Sequence, residues 1–267
     1  MPRSIRSSSL ARVAVFAPLT GSGRAAIVEQ RLTDAIVLGV LDDGERLPRE
    51  LDLARNFGVA TVTVREALES LREKGLIRTT RGRDGGSFVI SGGHRHAAIL
   101  HSRVRSLSRV ELRDMGVYYS AIASSAAELA ADRTSADDVD NLRRIIGTID
   151  YDDAGATRRG EGTFHLELAA LSQSARLVRE EVRLQAEFGP LLWLSMHDVD
   201  CRSRSRVAHA RIVEAISRVD GDSARRLVAN HVGDALEWLV EHKAGLERAA
   251  ISSVDHPDSG DMKEAAP

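Results

Sequence analysis

Hydrophobic residues are spaced for helices along most of the 267-residue chain. In residues 24–39 they recur three and four positions apart, which is the spacing of one helix face. Residues 47–71 divide into two shorter helical patterns at Gly58, because glycine readily adopts the left-handed backbone that ends a helix. We predict a helix-turn-helix here, with Thr61 or Thr63 as the N-cap of its second helix.

Two short runs of strand-forming residues follow, at residues 76–80 and 87–90, on either side of a glycine-rich segment. This pattern predicts a β-hairpin, which behind a helix-turn-helix forms a wing. Residues 24–91 are therefore predicted to form a winged helix-turn-helix. The preceding residues 1–23 are rich in serine and are predicted to form a flexible arm.

The rest of the chain has helical spacing and no convincing strand. After a predicted linker at residues 92–107, we expect helices at about 108–132, 135–148, 156–172, 175–197, 204–219 and 222–249. Gly189 and Pro190 should kink or break the fourth of these. The predicted fold is mainly α, with an antiparallel helical bundle at residues 108–250 and a polar, disordered tail at residues 251–267.

Charge is distributed unevenly along the chain. Residues 1–92 hold 14 lysines and arginines against 11 acidic residues, whereas residues 93–267 hold 23 against 28. The net charge is therefore positive in the first part and negative in the second, as expected for a DNA-binding N-terminal part and an acidic sensory part. The single cysteine, Cys201, excludes an internal disulfide, and no apolar run has membrane-spanning length. We therefore expect a cytoplasmic protein.

Both halves resemble a known family. Residues 44–48 (GERLP), 64–68 (VREAL) and 81–89 (RGRDGGSFV) resemble the GntR family of bacterial transcription regulators. The helical part resembles the FadR-like (FCD) subgroup in Phe164-His165 and in the spacing from His209 to His231. The resemblance implies a regulator, most often a repressor, that binds a DNA operator as a homodimer and responds to a small-molecule effector.

Residues at the start of the second motif helix and in the wing are predicted to contact DNA. Arg65 lies four positions after Thr61, so both face the same side, and a guanidinium can bind guanine or phosphate. Alternatively, Arg65 forms a surface ion pair with Glu69, and the wing glycines form an ordinary turn. The predicted contacts are Arg49, Thr61, Thr63, Arg65, Arg81, Arg83 and Gly85.

Three of the nine histidines lie on apolar helix stripes: His165, His209 and His231. Burying three imidazoles without partners is costly, and one cation in the bundle core would satisfy all three. Glu161 shares a helix face with His165, and in the resembling domain an aspartate holds its position. The set suits a divalent ion, with zinc first and nickel or manganese as alternatives. Each histidine taken singly is more often a satisfied core or surface residue than a ligand.

The resemblance also implies an effector site beside the metal, to which an arginine and a glutamate on the first bundle helix contribute. Tyr119 and Ala123 hold those positions here, so Tyr119 is predicted to bind the effector by a hydrogen bond. Two other functions remain open at this point. One is a metal-dependent hydrolase that uses the same four side chains, and the other is a regulator for which the ion itself is the signal.

Overall fold

The computed structural model describes residues 15–16, 18, 23–37, 41, 43–82, 85–90 and 94–254. The N-terminal part contains helices α1 (Arg24–Val37), α2 (Glu50–Phe57) and α3 (Thr61–Glu73), followed by strands β1 (Ile77–Thr80) and β2 (Gly86–Val89). Helices α4 (His94–Ser106), α5 (Arg109–Arg133), α6 (Ala136–Gly147), α7 (Ala154–Leu171) and α8 (Ala175–Glu187) follow. The short helix α9 (Gly189–Leu192), a 3-10 turn (Trp193–His197), α10 (Val199–Ser217) and α11 (Gly221–Val254) complete the described chain. The predicted fold class, a winged helix-turn-helix with a C-terminal helical domain, is confirmed.

The winged helix-turn-helix follows the local signals of its sequence. Gly58 ends α2 with φ +65°, and the apolar face of α3 is buried by Val64, Ala67, Leu68 and Leu71. In the antiparallel hairpin, Ile77 pairs with Val89 and Thr80 pairs with Gly86. The prediction that Thr61 or Thr63 caps α3 is wrong. The N-cap is Ala60, which offers no side-chain acceptor, and Thr61 is already the first helical residue.

Replacing Gly58 with alanine should lower the free energy of unfolding by about 1 kcal/mol, because a Cβ disfavours the left-handed backbone. An added Cβ would meet no atom within 4 Å, so the loss of stability would report the backbone conformation and not a steric clash. Gly147 is the matched control, since it also has open space around it but no positive φ. Chemical denaturation of both variants checks this, and a loss of equal size for Gly147→Ala would contradict it.

The two longest helices of the C-terminal domain, α5 and α11, pack closely against each other. A Cβ added to Gly116 on α5 would lie 2.3 Å from Cδ2 of Leu236 on α11, so the missing side chain allows the close approach. The middle of α7 is buried as well, including Gly160, Glu161 and Phe164. Polar side chains carried by α7 are thereby held inside the domain.

Several segments differ from their predictions. The predicted linker at residues 92–107 contains α4, whose Val104 and Arg105 carbonyls accept hydrogen bonds from the buried Lys243 ammonium at 3.2 and 3.0 Å. Within the predicted flexible arm 1–23, Val15 is buried and the ring of Phe16 lies 6.0 Å from that of Phe57. Apolar burial therefore orders part of this segment.

The C-terminal end also differs. The tail predicted as disordered from residue 251 begins inside α11, which continues to Val254, and residues 255–267 lie outside the described residues. The predicted break at Gly189 and Pro190 is confirmed, since α8 ends at Glu187 and a separate short helix follows. No helix in the described ranges is both long enough and apolar enough to cross a bilayer.

Candidate DNA interface and metal centre

The first turn of α3 presents polar side chains at the surface of the N-terminal domain. The Arg65 side chain is 68% exposed, and its Nε donates a hydrogen bond to Oε2 of Glu50 on α2 at 2.7 Å. The ion pair expected from sequence as an alternative therefore exists, but with Glu50 and not with Glu69. Thr61 and Thr63 are half-buried, and neither is enclosed by the protein's interior. The start of α3 remains accessible to a duplex.

The other predicted DNA contacts are spread over α2 and the wing. Arg49 is exposed directly before α2, and Arg81 is exposed directly after β1. Gly85 is half-buried, its carbonyl accepts a hydrogen bond from the Arg46 guanidinium, and an added Cβ would lie 2.6 Å from the Thr80 carbonyl oxygen. Gly85 is thus required by a close backbone approach inside the hairpin. Arg83 lies outside the described residues.

The four side chains predicted as metal ligands meet in the core of the helical domain. Glu161 and His165 come from α7, His209 from α10 and His231 from α11, and one ligand atom of each lies within 4.8 Å of all the others. Oε2 of Glu161 is 3.1 Å from Nε2 of His209, 2.9 Å from Nε2 of His231 and 4.0 Å from Nε2 of His165. One carboxylate oxygen is therefore the common neighbour of three imidazoles.

Both ring nitrogens of His165 are buried without a hydrogen-bond partner in the described part of the chain. A buried imidazole normally has at least one partner, so this residue fits a site that is completed by an ion. Burial lowers the pKa of His165 well below its usual value, which keeps the ring neutral. Burial alone would raise the pKa of Glu161, but His209 and His231 hold it well below its usual range. A neutral imidazole and an ionised carboxylate are the forms that bind metals.

Three further side chains support the cluster, and sequence reasoning missed all of them. The Ser205 hydroxyl donates to Oε1 of Glu161, and the Tyr151 hydroxyl lies 3.0 Å from Nδ1 of His209. The ring of Trp193 stacks on that of His165, with the centroids 5.0 Å apart and an angle of 27° between the planes. Ser205 lies four residues before His209 on the same helix, which was a usable signal. Tyr151 and Trp193 carried no such signal, since each lies on a different element from its partner.

Tyr119, the predicted effector ligand, is buried beside the cluster with its ring 5.8 Å from that of His165. Its hydroxyl donates to Oε1 of Glu181 at 2.8 Å and accepts from Nε2 of Gln185 at 2.5 Å. Among the residues that the structure covers, Oε2 of Glu181 has no hydrogen-bond partner. An effector that reaches Tyr119 would have to compete with these two neighbours.

Burial raises the pKa of Glu181 from 4.5 to about 6. The folded protein therefore keeps this proton to a higher pH than the unfolded chain does, and stability falls as pH rises from 4.5 to about 6. Glu181→Gln removes the buried charge and should raise the free energy of unfolding at pH 8 by up to about 2 kcal/mol. That gain should disappear below pH 4.5, where wild-type Glu181 is also neutral.

Denaturation of both proteins across this pH range measures the difference. Glu180→Gln is the control, because a hydrogen bond from Tyr118 lowers the pKa of this neighbouring carboxyl, so its linkage has the opposite sign. A gain for Glu181→Gln that does not change with pH would contradict the assignment.

Comparison with known proteins identifies a family for each half of the chain. Residues 24–89 match the family described as bacterial regulatory proteins of the gntR family, and residues 114–234 match the FCD domain. RmpR of Mycobacterium gastri, named as an HTH-type transcriptional regulator, is 34% identical over 258 residues, which are 94% of each chain. The Uxu operon regulator of Haemophilus influenzae is 27% identical over 80% of this chain and 81% of its own length. The transcriptional repressor NanR of Escherichia coli is 26% identical, over 80% and 84%. The chain belongs to the GntR family of transcription regulators, in the FadR-like subgroup that carries a C-terminal FCD domain.

Proposed function

We propose that this regulator is a cytoplasmic repressor, with residues 24–91 as its DNA-binding domain and residues 108–250 as its effector-binding domain. Two copies would bind a near-palindromic operator as a homodimer, each placing α3 in the major groove. A small-molecule effector, for which a carboxylate is our first expectation, would favour the conformation that binds DNA weakly and so release the operator.

The observation that carries the metal part of this proposal is the buried cluster of one carboxylate and three imidazoles. Glu161, His165, His209 and His231 supply the nitrogen and oxygen donors that zinc accepts, and nickel or manganese are the alternatives. The Ser205 and Tyr151 hydroxyls hold Glu161 and His209 in orientation, as outer partners do around bound metals. A bound ion would also give His165 the partner that it lacks.

The exposed residues of α3 and the wing support the DNA-binding part. In the proposed complex, Thr61, Thr63 and Arg65 face the groove, while Arg49, Arg81 and Arg83 meet phosphates. Arg65 must exchange Glu50 for DNA, which costs little because both partners are solvent-exposed. The homodimer is supported by apolar side chains that α5 leaves exposed, namely Val110, Val117 and Tyr118.

Replacing Arg65 with alanine should weaken binding to DNA from the region upstream of the gene by about 10- to 100-fold, the effect of losing one forked base contact. Fluorescence anisotropy at moderate salt measures it. Arg143→Ala is the matched control, since Arg143 is an exposed arginine of the FCD domain that pairs with Asp140. Failure of the wild-type protein to bind any such fragment would contradict the proposal.

Burial of the cluster also bears on the two alternatives. Glu161, His165, His209 and His231 are each at most 5% exposed, and a hydrolytic metal site needs an open position for water and substrate. The closed arrangement favours a structural ion or an ion that is itself the signal over a hydrolase. Operator affinity of chelated and zinc-loaded protein separates these two cases, because only a signalling ion changes it without an effector.

A further inference from the structure

A second group of histidines lies where α4 meets the helical domain. His101 is on α4 and His242 is on α11. The ring centroids of His101 and His242 are 5.4 Å apart, with the ring planes inclined by 54°. Two helices that are distant in sequence therefore bring imidazoles together outside the cluster around Glu161.

The centroid distance of this pair falls within the range of two ring pairs in the first cluster. There the centroids of His209 and His231 are 5.1 Å apart, and those of His165 and His231 are 5.5 Å apart. Two imidazoles on one ion place their ring centres about 5 Å apart, because each nitrogen–metal bond is about 2 Å long. His101 and His242 are thus spaced to share an ion without a large movement of either helix.

The His242 ring is held in place and has a free ligand atom. Its Nε2 is buried, and within the described ranges it has no hydrogen-bond partner. The Trp238 ring stacks on it at 4.7 Å with an angle of 11° between the planes, which limits rotation of the imidazole. Burial lowers the pKa of His242, which favours the neutral ring that binds metals.

The charges around His101 and His242 determine how strongly an ion is expected to bind there. Lys243 follows His242 in the chain, although its ammonium is engaged by the carbonyls at the end of α4 and by Glu247 at 3.0 Å. The proposed ligand pair itself contains no carboxylate. Binding should therefore be more than about tenfold weaker than at the Glu161 cluster, because no ligand charge offsets that of the ion. Imidazole ligands alone favour zinc, nickel or copper.

We propose that His101 and His242 form a second divalent transition-metal site. An ion bound there would fasten α4 to α11. Since α4 connects the wing to the helical domain, the ion would stiffen the junction between the two halves of the protein. This inference does not depend on the proposed effector or on an ion at the first cluster.

Equilibrium dialysis of the full chain against Zn²⁺ or Ni²⁺, followed by elemental analysis, tests the proposal. We expect two ions per wild-type chain with separable affinities, and loss of the weaker one in His101→Ala/His242→Ala. Ser102→Ala/Glu241→Gln changes exposed neighbours on the same two helices and should keep both ions. If the alanine variant folds poorly, His242→Gln can be used in its place, because glutamine fills part of the volume of the imidazole.

The two sites can be tested separately. Glu161→Gln/His209→Ala should lose the tighter ion and keep the weaker one, so failure of either site leaves the other result readable. Hydrogen exchange gives a second readout, since the weaker ion should slow exchange of the α4 amides in wild type but not in His101→Ala/His242→Ala. A weaker ion that persists in that variant, or a metal content at millimolar metal that is the same for wild type and His101→Ala/His242→Ala, would overturn the proposal.

Discussion

Replacing Glu161 with glutamine should reduce the affinity of the helical domain for zinc by about 100-fold or more, exceeding the loss usually seen when an outer partner of a metal ligand is removed. Glu161 is the only carboxylate in the cluster, and its Oε2 lies 3.1 Å from Nε2 of His209 and 2.9 Å from Nε2 of His231. A neutral amide of the same size cannot offset the charge of the ion in a buried setting. Competition with a zinc-binding dye measures the change.

Glu214→Gln is the matched control for this measurement, because it removes a carboxylate outside the cluster. Glu214 lies on α10 with His209, but it is exposed and pairs with Arg218. Glu214→Gln should leave zinc affinity unchanged. Equal affinities for Glu161→Gln and wild type would show that the cluster is a hydrogen-bonded core group and not a metal centre.

Asp34→Ala should lower the free energy of unfolding by about 3–5 kcal/mol, because it leaves a buried guanidinium without its counter-charge. Asp34 on α1 is almost fully buried and pairs with Arg103 of α4, whose Nη2 also donates to the Glu187 carbonyl at 3.0 Å. Burial lowers the pKa of Arg103 to about 10, which shows how far this charge is withdrawn from water. Denaturant titration of the variant measures the loss.

Asp140→Ala is the comparison for this experiment. It breaks an exposed pair with Arg143 and should cost less than about 1 kcal/mol. The double variant Asp34→Ala/Arg103→Met should recover part of the loss, since it removes the unpaired charge along with its partner. Similar small losses for Asp34→Ala and Asp140→Ala would contradict the buried pair.

The elements that could be predicted from sequence are those specified by nearby residues. Gly58 ends α2, and the spacing of Val64, Ala67, Leu68 and Leu71 defines the buried face of α3. Helix α4 could not be predicted, because the contacts that stabilise it come from far along the chain. The Lys243 ammonium donates to the carbonyls of Val104 and Arg105 near its end, and Arg103 joins it to α1 and α8. The sequence around Gly92 and Gly93 indicated only a break.

The candidate metal centre could also be predicted from the sequence only in part. Glu161 and His165 are one helical turn apart, and His209 and His231 lie on apolar stripes, so helix geometry predicted that all four face the core. The resemblance to the FCD domain implied that they meet at one ion. The supporting contacts of Ser205, Tyr151 and Trp193, and the pairing of His101 with His242, depend on how helices cross. Spacing along a single helix does not contain that information.

The ion pair between Arg65 and Glu50 has a consequence for how an operator search would proceed. In the proposed complex, every departure from DNA returns the guanidinium to a carboxylate 2.7 Å away on the same molecule. Non-operator DNA, which offers Arg65 only phosphates, would then have to compete with Glu50 for the guanidinium. The protein would therefore stay on such DNA for a shorter time. An operator that adds base contacts would overcome that competition. Glu50 would therefore increase the discrimination between operator and random DNA while lowering the affinity for both.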